Sequence, residues 1–307
     1  MSAKLVRPTG YLASVEVLRD ELVRTLSPDA SVSVRVLSAT NLVREAVRRH
    51  STSPAASVAL GRALMGGLLL ASEAQDGERV QIAVKGDGPL GNLLVTADAD
   101  GAVRGYVQHP AADAPLRGDE LGVAEGIGLG QLSVERNHPS WKRPYHGIVP
   151  LVTGEIAQDL AHYLLESEQK PSAVALGVYL GRDGGVEAAG GYLVQSLPGA
   201  SDSALADLEA RVSGTLHPSE MVHSGVSAES ILGRLLEGVG AGELFRIEPR
   251  FECPCSVERV RNAATLLGRD ELRDAAQKGE LLEVRCAFCA DVYNLEPDEV
   301  FALIPDS

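Results

Sequence analysis

The sequence predicts a mixed α+β fold: an N-terminal core of β-sheet with packed helices, a helical linker and a small C-terminal unit that holds every cysteine. Apolar residues of the first two thirds switch between helical and strand spacing without a regular βαβ repeat. Two largely polar helical segments follow, and the cysteines come after them. We place the core at residues 1–198, the linker at 199–250 and the cysteine unit at 251–307.

Apolar residues spaced three and four apart predict the helices of the core. Ser53 can cap the third helix and Pro54 suits its first turn. Met65 in that helix is expected to pack in the core rather than bind a ligand. Thr153 can cap a later helix. The predicted core helices cover residues 10–26, 41–50, 54–71 and the segment after Thr153.

Alternating apolar residues predict strands. Val32, Val34 and Val36 alternate with polar neighbours, as in a strand with one buried face. Residues 110–130 are rich in Gly, Pro and Asp and are expected to be mostly loop. The predicted strands cover residues 31–38, 79–85, 93–97, 102–107, 132–136, 146–152, 173–180 and 186–197.

The linker is predicted to contain two amphipathic helices, over residues 201–216 and 227–239. Each has only a narrow apolar stripe, so each must dock on a neighbour. Their glycine-rich ends favour reversible release. In the cysteine unit we predict helices over 257–267 and 271–277, a hairpin over 282–285 and 290–295, and a last helix from Pro297.

Composition excludes several classes of protein. A formal charge of −14 and a pI near 5.0 argue against a nucleic-acid partner, which would need clustered Lys and Arg. The longest apolar run, residues 63–71, is nine residues long and too short to span a membrane. Residues 1–10 lack the apolar region of an export signal, so we expect a cytoplasmic protein.

The four cysteines form two close pairs. Cys253 and Cys255 are separated from Cys286 and Cys289 by 30 intervening residues. Four thiolates suit one tetrahedral Zn²⁺ at about 2.3 Å, and no cysteine is left over. A secreted disulfide framework would need an export signal. We therefore predict one Zn²⁺ per chain, bound by all four cysteines.

Such a site can act as a switch as well as a structural tie. Zinc-bound thiolates remain nucleophilic, so an oxidant can convert them to disulfides and remove the metal's ligands. Structural zinc contributes about 10 to 16 kcal/mol to the folding of small metal-dependent peptides. Oxidation would therefore unfold the cysteine unit.

No other motif predicts catalysis. The glycine-rich segments 126–130 and 238–242 lack the dinucleotide-binding spacing, and no phosphate loop or nucleophile elbow is present. Trp141 is expected to pack rather than bind a ligand. The histidines show no metal-ligand spacing and include His109, His138, His146, His217 and His223.

Several short segments occur in a fixed order before the cysteines. They are residues 85–89 (KGDGP), 104–107 (RGYV), 145–149 (YHGIV), 154–157 (GEIA), 167–169 (SEQ) with Pro171, and 189–192 (AGGY) with Gln195 and Pro198. Together with the cysteine arrangement, these segments resemble the redox-regulated chaperone family of heat shock protein 33.

The resemblance implies a mechanism for the chain. Oxidative stress would form disulfides within each pair, Cys253 with Cys255 and Cys286 with Cys289, and zinc would be released. The linker at 199–250 would then unfold and expose apolar surface that holds unfolding clients without ATP. Oxidised chains would form homodimers, and clients would pass to the heat shock protein 70 system.

Two alternatives remain open at this point. A thiol-disulfide oxidoreductase could use Cys286 and Cys289 for catalysis. A zinc unit that does not respond to oxidants would instead be a constitutive docking module.

We expect Cys286 and Cys289 to oxidise before Cys253 and Cys255. Pro254 restricts Cys253 to extended geometry, and a disulfide across one intervening residue is strained. Trapping free thiols at intervals during peroxide treatment measures the order. Earlier loss of the Cys253 and Cys255 thiols would contradict the prediction.

Overall fold

A long apolar helix packs against strands of two β-sheets and organises the core. The structure, a computed structural model, describes residues 19–117, 120–200, 206, 210–266, 269–279 and 281–303. It confirms the mixed α+β fold. The helices are α1 (Thr40–His50), α2 (Pro54–Ala71), α3 (Val123–Ile127), α4 (Ile156–Glu166), α5 (Pro218–His223), α6 (Ala228–Leu235), α7 (Val257–Ala264), α8 (Arg269–Lys278) and α9 (Pro297–Ala302).

The strands form two large sheets and two short hairpins. One sheet has the order β10-β11-β2-β1-β12 and the other β13-β5-β4-β3-β8-β9, and all neighbours in them are antiparallel except β13 and β5. The strands are β1 (Glu21–Leu26), β2 (Val32–Ser38), β3 (Arg79–Gly86), β4 (Leu93–Asp98), β5 (Ala102–Val107), β6 (Leu116–Arg117), β7 (Glu120–Leu121), β8 (Gly130–Asn137), β9 (Tyr145–Pro150), β10 (Ser172–Leu180), β11 (Val186–Ser196), β12 (Phe245–Ile247), β13 (Arg250–Phe251), β14 (Leu282–Arg285) and β15 (Val292–Leu295).

The central helix α2 begins as the sequence predicts. The Ser53 side chain accepts a hydrogen bond from the Ala56 amide, and Pro54 occupies the first turn. Met65 is fully buried in the core. The helix is long and apolar enough to cross a membrane by length and composition, yet 89% of it is buried inside the structure. That burial identifies α2 as a core helix.

Strand β2 is buried on both faces, which the alternating pattern did not predict. Its valines face one side, and Arg35 and Leu37 face the other. Arg35 is 1% exposed, donates to Gln195 at 2.8 Å and forms an ion pair with Glu73. A buried charge requires such partners. The polar residues between the valines therefore face the interior of the protein rather than solvent.

Three other sequence predictions for the core need correction. Residues 21–26 of the helix predicted over 10–26 form strand β1 and pair with β2, while residues 10–18 lie outside the described residues. Thr153 does not cap α4: its hydroxyl accepts from the Glu155 amide, and Glu155 is the N-cap residue. The segment 110–130 contains α3 and two short strands in addition to loop.

The linker packs on the five-stranded sheet. In the helix predicted over 201–216, residues 201–205 and 207–209 lie outside the described residues, while residues 206 and 210–214 are helical. The helix predicted over 227–239 begins at Ala228, is capped by Ser227 and ends at Leu235. Strand β12 then pairs with β1, so the linker also extends the core sheet. The domain boundaries at 198 and 250 stay a prediction.

Candidate metal centre

The cysteine unit has a small apolar core of its own. Helices α7, α8 and α9 pack with the β14–β15 hairpin, in agreement with the predicted elements. The Ser256 side chain caps α7 by accepting from the Arg259 amide. The buried apolar cluster of the cysteine unit, within the described residues, consists of Val260, Ala264, Leu272, Leu295 and Val300. A core of this size stabilises a fold only marginally, so an additional tie is needed.

The turn between β14 and β15 carries the second cysteine pair. The Cys286 amide donates to the Asp291 carbonyl at 2.9 Å, and the Ala290 amide donates to the Cys286 carbonyl at 2.8 Å. Ala290 has a φ of 61°, in the left-handed region. These bonds fold the turn tightly, and Cys286 and Cys289 both join the same sulfur cluster.

All four predicted ligands come together. Their sulfur atoms lie within 4.8 Å of one another. The Cys253 and Cys286 sulfurs are 3.8 Å apart, and those of Cys255 and Cys289 are 3.3 Å apart. Ligands about 2.3 Å from a tetrahedral ion stand about 3.8 Å from one another. The quartet is therefore positioned to bind one metal ion.

The electrostatics of the quartet also suit a cation. Burial raises the pKa of Cys253 to about 11 and also raises the pKa of Cys289. Burial acts to raise the pKa of Cys255 as well, but hydrogen bonds from Tyr293 and the other thiols outweigh it and lower that pKa. Without a cation the Cys253 and Cys289 thiols would stay protonated near neutral pH. A bound metal ion would hold them as thiolates.

Tyr293 is a functional residue that the sequence reasoning missed. Its hydroxyl donates to the Cys255 sulfur at 3.0 Å. The hydrogen bond to Cys255 raises the pKa of Tyr293, so the hydroxyl remains a donor. Its place on β15, four residues after Cys289, is the only signal that could have suggested it.

The turn that carries Cys286 and Cys289 also contacts the core, through Phe288 and Asp291. The Phe288 ring meets the Tyr106 ring edge to face, with centroids 5.5 Å apart, and the Arg104 guanidinium lies 5.1 Å from its centre. The His50 Nε2 atom is 3.2 Å from the Phe288 carbonyl oxygen. Arg49 forms an ion pair with Asp291 at 2.8 Å. These contacts hold the metal-binding turn against α1 and β5.

No second cluster of metal-binding side chains occurs among the described residues. The histidines singled out in the sequence lie elsewhere: His138 contacts Ser140, and His217 contacts Ser219. His223 stacks on Tyr179. Trp141 lies beside His138 on the surface. These are ordinary packing and hydrogen-bonding roles.

Comparison with known proteins gives consistent matches over nearly the whole chain. The family model described as Hsp33 protein matches residues 20–296. A 33 kDa chaperonin of Geobacter sulfurreducens is 41% identical over 285 residues, covering 92% of this chain and 94% of that protein. One of Nostoc punctiforme is 42% identical over 295 residues, covering 94% and 97%.

A solved structure has the same fold. The crystal structure of the 33 kDa chaperonin, a heat shock protein 33 homolog, of Thermotoga maritima matches with a TM-score of 0.87 at 32% identity. The match covers 93% of this chain and 98% of that one. The likeness therefore includes the linker and the cysteine unit as well as the core.

Replacing Tyr293 with Phe is expected to lower the affinity of the quartet for a thiolate-binding metal ion by about tenfold, because the hydroxyl that orients Cys255 is lost. Competition with a chromophoric chelator measures the affinity. Tyr145→Phe, which removes a hydroxyl bonded to the Ser167 carbonyl, is the matched control. An unchanged affinity in Tyr293→Phe would refute the orienting role.

Proposed function

The chain belongs to the Hsp33 protein family, as its motifs predicted, and from this premise we propose that it is an ATP-independent holdase controlled by oxidation. Its relatives are named chaperonins, so it is a chaperone rather than an enzyme, and it binds client proteins. The convergence of all four cysteines supports the proposed redox control, because neighbouring thiols can bind one metal ion and can also be oxidised to disulfides.

The proposed ligands of Zn²⁺ are Cys253, Cys255, Cys286 and Cys289. An all-sulfur tetrahedral set favours zinc over harder cations such as Mg²⁺ or Ca²⁺. When bound, zinc would hold the thiols deprotonated and connect the segment after β13 to the β14–β15 turn. Tyr293 would orient the Cys255 sulfur. The small apolar core of the unit would then be sufficient to keep it folded.

Oxidation would remove these ligands. One peroxide molecule takes two electrons from two thiols and yields one disulfide and two waters, through a sulfenic acid intermediate. We propose the pairs Cys253–Cys255 and Cys286–Cys289, which consume two peroxides per chain. All the sulfurs lie within 4.8 Å of one another, so the two sulfurs of each proposed pair start close together. Sulfurs joined in disulfides no longer donate to a metal ion.

The linker is positioned to respond. It enters the cysteine unit through β12 and β13, and its helices cover an apolar face of the five-stranded sheet. Unfolding of the cysteine unit would remove the attachment of this cover through β13 and leave it held by its packing on the sheet and by the β1–β12 pairing. Residues buried in the shared cluster include Val32, Val34, Val36, Tyr192 and Val194 of the sheet and Ile231, Leu232 and Leu235 of α6.

Release would expose a client surface of low specificity. An apolar sheet face recognises unfolded chains by burial rather than by sequence. The same face could join two oxidised chains in a homodimer. Transfer of clients to the heat shock protein 70 system, a cytoplasmic location, and the absence of nucleic-acid and membrane partners belong to the same proposal.

Reduced, metal-loaded protein is expected to leave an unfolding client to aggregate, whereas peroxide-treated protein suppresses aggregation in proportion to its concentration. Light scattering, bound metal and free thiols are measured on one sample. Equal suppression in both states would remove the switch. Catalytic turnover in insulin reduction would favour the oxidoreductase, and retention of metal under peroxide would favour the constitutive docking module.

Gly233→Ala is expected to make release of the linker harder. Gly233 lies inside α6, and a Cβ there would meet no atom within 4 Å, so the change adds helix propensity of about 1 kcal/mol without a clash. The ratio of docked to released linker should rise about fivefold. Hydrogen exchange of the α6 amides and client holding after oxidation measure it.

The matched control for this variant is Gly185→Ala, the same change in the exposed β10–β11 turn. It should leave the response to peroxide unchanged. If Gly233→Ala protects the α6 amides but holding by the oxidised protein does not fall, linker release does not limit client binding.

A further inference from the structure

At the β5 edge of the six-stranded sheet, only two of the described residues form an additional strand. Arg250 and Phe251 run parallel to β5. The Arg250 amide donates to the Gly101 carbonyl and the Glu252 amide to the Val103 carbonyl, each at 2.9 Å. Within the described residues no strand pairs with the remainder of this edge. An uncovered edge offers its backbone groups to another extended chain.

The outer face of the same strand holds an aromatic residue from the metal-binding turn. Arg104 and Tyr106 alternate with the buried Val103, Gly105 and Val107, so their side chains point away from the core. Both contact the Phe288 ring.

His50 contacts the main chain of Phe288 beside the same strand. Its Nε2 atom lies 3.2 Å from the Phe288 carbonyl oxygen. The side chains of β5 thus contact the aromatic ring, while His50 contacts the main chain of the same residue. Neither contact depends on which residues flank Phe288.

We propose that Arg104, Tyr106, His50 and the edge of β5 form an aromatic-edge site that binds an aromatic residue in an extended segment of an unfolded client. Phe288 and β13 occupy this site until oxidation removes them. The inference rests on the proposed holdase function and adds a second surface, on a different sheet from the one beneath the linker helices.

The chemistry of the site fits unfolded chains in general. An edge-on aromatic contact and a guanidinium over a ring recognise Phe, Tyr or Trp in any sequence. Pairing with a strand edge needs only an extended backbone. Aromatic residues are buried in folded proteins and become accessible on unfolding. The site would therefore select unfolded clients without selecting a sequence.

The site is also connected to the thiols. Phe288 stands between Cys286 and Cys289, and β13 ends two residues before Cys253. Closure of the second pair would bend the turn that presents Phe288, and unfolding of the unit would withdraw β13. The same oxidation that frees the linker would uncover this site.

A labelled ten-residue peptide of Ser and Thr with one central Phe tests the proposal, with the Phe→Ala peptide as reference. Fluorescence anisotropy with the full-length oxidised chain should show about tenfold tighter binding of the Phe peptide. Tyr106→Ala and Arg104→Ala should each reduce that preference to about twofold. Tyr145→Ala, an exposed tyrosine on the opposite edge strand, should retain it.

Phe288→Ala gives the complementary result. In the reduced protein, with metal content and four free thiols verified, it should allow the Phe peptide to bind where the unmodified chain does not. Equal binding of the two peptides to the oxidised chain, or a full preference in both Tyr106→Ala and Arg104→Ala, would overturn the proposal. Suppression of client aggregation by the same oxidised samples shows separately whether the holdase function stands.

Discussion

The meeting of four sulfur atoms is the constraint around which the cysteine unit at 251–307 is arranged. The cysteine unit buries few apolar side chains, and its helices are short. Hydrophobic burial on this scale barely offsets the entropy of ordering the chain. A metal tie between the segment after β13 and the β14–β15 turn would supply the missing stability at a point that chemistry can break.

Two segments connect the sulfur cluster to the rest of the chain. The segment before Cys253 belongs to β13 and, through β12, to the linker. The turn between Cys286 and Cys289 presents Phe288 to the core. A change at the sulfurs therefore reaches both sheets, and neither route requires a rearrangement inside the core. The core keeps its own large cluster around α2.

The sequence predicts most of the helices and strands whose residue spacing, caps and turns match the burial found in the structure. The cap at Ser53, the hairpins and the convergence of the cysteines all follow from spacing and turn chemistry. Residues 21–26 were assigned to a helix because the apolar residues of 10–26 fit helical spacing, but pairing with β2 and β12 overrides that preference.

Local sequence patterns do not predict burial on both faces of a strand or contacts between residues far apart in the sequence. Nothing near Arg35 in the sequence shows that Glu73 and Gln195 will reach it, so the alternating pattern predicts a half-buried strand. Tyr293 and Phe288 were missed for the same reason, since their partners lie far away in sequence or across the site. The convergence of the cysteines could be predicted because four thiolates bind one metal ion in few arrangements.

The burial of β2 on both faces affects how the linker can redock after the thiols are reduced. The strand lies at the centre of its sheet, bonded on both sides to β11 and β1, and its inner face is anchored by Arg35 and Leu37. Departure of the linker would strip only its valine face. The sheet surface on which the linker docks would thus stay folded in the oxidised protein. Once the thiols are reduced, the linker can dock on it again without refolding of the core.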